Sequence, residues 1–189
     1  MYSLFHFNKL DDCSYLHILQ FAQWMEGSGV SPDCIYAISK HIIELQHKKM
    51  QLYVIHSGDQ TVGYLVQYSG ERNIKFSRIQ YFAIDPKKRG KGVGVNVMKS
   101  VLDRLLFPSD ITSIACLSSL RPFYEKCGYR YVGLADDGKD LMLYSHGDIP
   151  MDNIDAMRKE PITQLGYDGS SLSEYEQIKA LLYKKNSFC

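Results

Sequence analysis

Asp85-Pro86-Lys87-Lys88-Arg89-Gly90-Lys91-Gly92-Val93-Gly94-Val95 is the stretch on which the fold turns. It follows a run with strand character, Ile74 to Ile84. It precedes a helical run, Gly92 to Leu106, in which Val97, Val101 and Leu105 share one face. Asp85-Pro86 ends the strand because proline has no N–H to give to a ladder. A glycine-rich turn from strand to helix is a ready anion cradle. The N–H groups of a first helical turn lack intrahelical partners, and the helix dipole favours negative charge there. Glycine lets an anion come close to the backbone. Lys87, Lys88, Arg89 and Lys91 add positive charge around it.

Two nucleotide-binding patterns fail at this loop. A Walker loop needs Ser or Thr after Gly-Lys, and Gly90-Lys91 is followed by Gly92. A dinucleotide fingerprint needs a third glycine where Val97 stands. Outward from the loop the elements alternate. Tyr2 to Phe7 reads as a strand. Asp11 and Asp12 can cap a helix running to about Glu26, and Ser31-Pro32 opens a second helix with Ile35, Ile38, Ile42 and Leu45 on one face. Leu52–His56 and Val62–Tyr68 read as a hairpin across Ser57-Gly58-Asp59-Gln60. Downstream, Ile111–Leu117 reads as a buried strand, Leu120–Cys127 as a short helix, and Tyr129–Leu134 with Asp140–Tyr144 as a last hairpin. The order predicts an α/β domain with one mixed central sheet of about seven strands flanked by about four helices. Its expected bounds are residues 1–145. Residues 146–189 form a C-terminal extension, polar and loop-like until Ser171-Leu172-Ser173-Glu174 caps a final helix carrying Tyr175, Ile178 and Leu182. That extension is open to three readings: a lid, a homodimer contact or a disordered end.

The stretch Ile79 to Gly94 resembles the acetyl-CoA-binding motif of the GCN5-related N-acetyltransferases (GNAT), with Arg89, Gly92 and Gly94 filling the Arg/Gln-x-x-Gly-x-Gly/Ala pattern. Pro122-Phe123-Tyr124-Glu125-Lys126-Cys127-Gly128-Tyr129 resembles a second motif of that family, in the expected order and spacing. The resemblance covers about residues 2–145 and does not cover the tail. It implies that acetyl-CoA is the co-substrate. It implies that the backbone of Arg89, Gly90, Lys91, Gly92, Val93 and Gly94 holds the CoA pyrophosphate, and that the strand end at Tyr81, Phe82, Ala83 and Ile84 pairs with the pantetheine arm and supplies an oxyanion N–H. Tyr124 corresponds to the tyrosine that protonates the leaving thiolate. The acceptor is then a primary amine of a small molecule or a protein.

The acceptor side departs from the family. Many members place a Glu some six residues before the Ile84 position, and Arg78 stands there instead. Arginine stays charged and cannot act as the base. Water, Glu71, His56 and Tyr81 are the remaining routes for the amine proton, and Arg78 is a candidate to bind an acceptor carboxylate. A non-catalytic acyl-CoA-binding or interaction protein on the same scaffold is the alternative function. Cys116 and Cys127 read as buried structural thiols, and Ser118 and Ser119 as caps of the short helix.

Bulk properties narrow the class. With 45% hydrophobic and 23% charged residues the composition is that of an ordinary globular domain. A formal net charge of +1 gives no field that selects nucleic acid or an anionic membrane. Five cysteines, none at CxxC spacing, and six scattered histidines predict neither a disulfide framework nor a metal site. With no leader and no apolar run long enough to span a bilayer, a cytoplasmic protein is expected.

Overall fold

The computed structural model describes residues 1–44, 49–71, 75–105, 111–148 and 151–158, with 177 and 180. Seven strands form one sheet in the order β1-β2-β3-β4-β5-β7-β6. They are β1 (Tyr2–His6), β2 (Met50–Ser57), β3 (Gln60–Glu71), β4 (Lys75–Ile84), β5 (Ile111–Cys116), β6 (Arg130–Leu134) and β7 (Asp140–Tyr144). The helices are α1 (Asp12–Trp24), α2 (Pro32–Glu44), α3 (Val93–Leu105), α4 (Arg121–Lys126) and α5 (Met151–Arg158). The expected mixed α/β architecture holds. The sheet is mixed because β4 and β5 run parallel, with α3 as their crossover, while the other neighbours are antiparallel.

Local chemistry sets the boundaries. Asp11 caps α1 by accepting from Ser14 N–H at 3.0 Å, and Ser14 Oγ accepts from Asp11 N–H at 2.8 Å, closing a capping box. Ser57 pairs with Gln60, so Gly58-Asp59 is the two-residue turn of the β2–β3 hairpin. Ile74, Leu106 and Pro108, expected at element ends, lie outside the described residues, as does the helix expected after Ser171.

Alternation along the strands sorts side chains onto two faces. One face carries α1 and α2, whose Ile18, Phe21, Ile35 and Ile42 pack on Val54, Tyr64 and Val66. The other carries α3 and α4, with Val97, Met98, Leu102 and Tyr124 against Leu65, Ile79 and Met142. The reading of 146–170 as loop needs correction, because α5 lies within it. Its Ile154 and Met157 pack against Phe76, Ile111, Leu141 and Leu143. Each such side chain contributes roughly 1.5–3 kcal/mol on burial. Arg158 also donates from NH2 to Val132 O at 2.5 Å, tying α5 to the edge strand β6. The polar character of the segment hid this helix, since only two of its side chains are described as buried.

Candidate active site

The site begins where two parallel strands part. β4 pairs with β5 only from Phe76 to Ile79, opposite Ile111 to Ile114. Beyond that point, Gln80 to Ile84 have no β5 partner. The register with β3 also shifts here: Val66 faces Tyr81 and Gln67 faces Ile79, which leaves Gln80 as an extra residue. A bulge of this kind bends its strand and increases the local twist. The strand end Tyr81–Phe82–Ala83–Ile84 therefore presents backbone groups to an opening in the sheet.

The glycine loop lies at the end of that strand. Asp85 Oδ1 accepts from Lys87 N–H at 2.9 Å and caps a single 3-10 turn, Pro86–Lys88. Gly90 and Gly92 then take φ of 74° and 75°, left-handed values that L side chains rarely adopt. Among the described residues nothing but the adjoining chain stands within 4 Å of the Cβ position at either glycine. Asn96 N–H closes on Gly92 O at 3.2 Å. The N–H groups of Val93, Gly94 and Val95 precede that bond and belong to the unpaired first turn. This cradle fits an anionic group such as a diphosphate. The Arg89 side chain is engaged elsewhere: Nε donates to Ile84 O at 3.0 Å, and NH2 donates to Trp24 O at the end of α1. It clamps the loop to the strand end; Lys88 Nζ donates to Gln60 Oε1 at 3.0 Å and Lys91 Nζ to Lys87 O at 3.2 Å, so the backbone N–H groups are what the loop offers an anion.

Consecutive residues of α4 reach both arms of the opening. The Phe123 ring stacks on Phe82 of β4 at 6.2 Å between centroids. Tyr124, only 6% exposed, lies in one buried cluster with Cys116 of β5 and Cys127. Burial pushes its phenol well above the ordinary tyrosine value, and the neighbouring thiols add to the shift. The same surroundings push Cys116 and Cys127 up to about 11, chiefly by burial. Both cysteines are buried and free, in line with structural thiols. The expectation for Ser118 and Ser119 needs correction. They lie in a 3-10 turn whose N-cap is Leu117, the N-cap of α4 is Leu120, and neither cap uses a side-chain hydrogen bond.

The acceptor-side candidates separate. Arg78 is 5% exposed and lies between Tyr68 of β3 and Ser113 of β5. By alternation it shares the face of Phe76, the face that carries α5. Its charge helps to lower the Asp137 carboxyl, where the direct partner is Lys139. Tyr81 stands at the opening, and its hydroxyl meets Cys34 in the first turn of α2. Burial, together with that thiol, pushes Tyr81 up to about 12. Glu71 pairs with Lys75 at the opposite end of β4, away from the opening. His56 lies on β2, its ring 6.2 Å from that of His17. His17 Nδ1 in turn meets Tyr64 Oη at 2.8 Å, and Tyr64 donates to Gln20 Oε1 at 2.5 Å. These bonds hold α1 on β3. Of the base candidates, the fold brings only Tyr81 to the opening.

Residues 29–140, more than half of the chain, match the family model for the acetyltransferase (GNAT) domain. The chain belongs to the GNAT acetyltransferases. Comparison with curated protein sequences gives no match. Among solved structures, a GNAT-family acetyltransferase from Desulfovibrio desulfuricans is 15% identical with a TM-score of 0.56, covering 76% of this chain and 97% of that one. The aminoglycoside acetyltransferase AAC(6')-Ib in complex with paromomycin and acetyl-CoA is 15% identical with a TM-score of 0.59, over 77% and 93%. A spermidine N-acetyltransferase from Vibrio cholerae is 14% identical with a TM-score of 0.58, over 76% and 93%. At these identities the likeness is one of fold, and it is the GNAT fold that the sheet order and the β4–β5 opening express. Among the described residues no group of His, Cys, Asp or Glu gathers as a metal site, and no helix is long and apolar enough to cross a membrane.

Sequence reasoning missed three contacts of this site: the Arg89 clamp, the Tyr81–Cys34 pair, and an ion pair of Arg121 Nε with Asp140 Oδ2 at 2.8 Å. Only the last had a signal. Asp140 opens the otherwise apolar run Asp140-Leu141-Met142-Leu143, a place where a carboxylate needs a partner.

Proposed function

We propose that this chain is an N-acetyltransferase that moves the acetyl group of acetyl-CoA to a primary amine by direct attack, with Tyr124 as general acid. One observation carries the reading: adjacent residues of α4 reach toward the two arms of the β4–β5 opening, Phe123 stacked on Phe82 and Tyr124 packed in the same buried cluster as Ile114 and Cys116 of β5. The amine nitrogen bonds to the thioester carbon, and the oxyanion accepts from a backbone N–H among Phe82, Ala83 and Ile84. The C–S bond then breaks, and the Tyr124 hydroxyl gives its proton to the sulfur. Solvent takes the surplus proton of the amine and returns one to the phenolate. A phenol raised by burial is a weak acid, but the surroundings that raise it also raise nearby thiols. A thiolate leaving there is a stronger base, which offsets part of the phenol's weakness.

In this reading residues 1–145 are the acyltransferase domain and 146–189 an extension. The backbone of Arg89 to Gly94 holds the pyrophosphate. Paromomycin and spermidine, the amines named for the structural neighbours, set the class to try first. The charge of Arg78 and its place on β4 are the whole motive for a carboxylate elsewhere on the acceptor, which would have to reach a side chain only 5% exposed. An unchanged acceptor KM for amino acids and peptides in Arg78→Ala would remove that part.

Arg78 in place of a carboxylate base also favours a second reading, a non-catalytic acyl-CoA-binding protein. One experiment decides between them: CoA thiol release and acetylated products, by mass spectrometry, for wild type and Tyr124→Phe with acetyl-CoA and a panel of aminoglycosides, spermidine and peptides. The enzyme reading expects an acetylated amine and about a hundredfold lower rate in Tyr124→Phe. Acetyl-CoA binding without product across the panel selects the second reading.

A further inference from the structure

Tyr124 rides on a helix with little of its own to hold it. α4 has six residues, too few to be stable without tertiary contacts. Neither α4 nor the 3-10 turn before it has a side-chain cap. What meets the first residue of α4 is a carboxylate from a distant part of the chain. Arg121 Nε donates to Asp140 Oδ2 at 2.8 Å. Asp140 opens β7, pairing with Cys116 at the end of β5 and with Leu134 at the end of β6. It is 0% exposed, and Arg121, together with the Ser118 hydroxyl, holds its carboxyl below the usual range. The Arg121 guanidinium lies 4.0 Å over the Tyr131 ring, so carboxylate and aromatic face together fix its orientation. A buried carboxylate is costly to keep. The packing of β7 gives no reason for one, since Leu141, Met142 and Leu143 beside it are fully buried apolar residues.

We propose that the Asp140–Arg121 pair positions Tyr124: it pins the first turn of α4 to the ends of β5 and β7 and so sets where the Tyr124 hydroxyl stands over the opening. This rests on the reading of Tyr124 as the acid. The two residues are three apart on one helix and project to neighbouring points, so moving the first turn carries the phenol with it. Phe123 fixes the helix from the β4 side through Phe82. The Asp140 pair supplies the matching hold from the β5 side. Asp140 also bears on the site through Cys116, whose thiol its charge helps to raise and which shares a buried cluster with Tyr124.

The test measures CoA thiol release from acetyl-CoA in water and with spermidine. The variants are Asp140→Asn, Arg121→Gln and Arg121→Lys, each with Tyr124 intact or as Tyr124→Phe. The ring-carbon NMR signal of Tyr124, assigned by its loss in Tyr124→Phe, is followed in parallel. Asp140→Asn and Arg121→Gln are expected to lower kcat by about ten- to a hundredfold, as an ångström-scale misplacement does, with little change in KM for acetyl-CoA. Both should shift the Tyr124 signal. Arg121→Lys should restore part of the rate, and in the Tyr124→Phe background neither loss should recur. Equal losses with and without Tyr124 overturn the proposal, because the pair would then act on the fold at large. So does an unmoved Tyr124 signal in both variants. If Tyr124→Phe alone keeps the wild-type rate, the acid reading fails, and the NMR signal still reports whether the pair sets the ring.

Discussion

Gly94 lies against Phe123: a Cβ built on Gly94 would come 3.1 Å from Phe123 Cε2 and 3.5 Å from Ile84 Cγ1. The three glycines of the loop thus do different work. Gly90 and Gly92 permit the backbone path, and Gly94 lets the first turn of α3 close onto α4 and the end of β4.

A graded response at this position follows. Gly94→Ala gains about 1 kcal/mol of helix propensity and loses a similar amount pushing Phe123 aside. Its thermal stability should stay close to wild type. Gly94→Val adds three carbons where there is no room and should cost about 1–3 kcal/mol. Because Phe123 precedes Tyr124, the rate of thiol release should fall for Val well before it falls for Ala. Denaturant unfolding alongside thiol release checks both, and equal stability in Ala and Val variants would contradict the contact.

Gly92→Ala separates conformation from contact. Among the described residues nothing but the adjoining chain stands near the missing side chain, so the cost comes from φ of 75° alone. That amounts to about 1–2 kcal/mol for a residue with a Cβ. The loop is expected to relieve the strain by rotating its amides, weakening CoA binding several-fold with only a small fall in melting temperature. Titration calorimetry with CoA measures it.

Alkaline stability should betray the buried phenols. Tyr64, Tyr124 and Tyr129 are all raised above the ordinary 10.0, chiefly by burial. For a group whose folded value is raised, stability is complete below its unfolded value and is lost as pH climbs toward the folded one. Cys116 and Cys127 begin the decline, since both are lifted to about 11 from 9.0. The melting temperature should therefore fall from about pH 9 upward, steeply above about pH 10. The Tyr129 hydroxyl is buried without a hydrogen-bond partner among the described residues. Tyr129→Phe is expected to flatten this decline and to raise stability at pH 7 by about 1 kcal/mol. Thermal melts across pH 7–11 would test it.

Met157→Ala tests whether α5 is part of the folded unit. Met157 is buried among Phe76, Leu141 and Leu143. Its truncation should cost about 2–5 kcal/mol if α5 docks as a cooperative part of the domain. Hydrogen exchange in residues 151–158 should then speed up together with β6. Faster exchange confined to α5 itself, with unchanged global stability, would mark α5 as an independent flap.

The strand–loop–helix unit from β4 to α3 was legible because its signals are local. Proline ends a strand, glycine permits left-handed turns, and helical periodicity needs only neighbouring residues. Tyr124 was legible for the same reason, inside a contiguous motif. α5 escaped because Ile154 and Met157 are too few to stand out in a polar segment, and Ser118 and Ser119 misled because the caps fell on Leu117 and Leu120.

The sequence by itself determined the order of the elements from β1 to β7, the glycine turn between β4 and α3, and the family motifs from which Tyr124 and acetyl-CoA are proposed. Only the tertiary structure decided that β4 and β5 part after Ile79, that Glu71 stands at the wrong end of its strand, and that Asp140 reaches Arg121 from the far side of a hairpin. The physical reason is range. Turn chemistry and helix periodicity act over a few residues, whereas a strand opening and a buried ion pair exist only after distant segments have packed, and so appear only where the chain closes on itself.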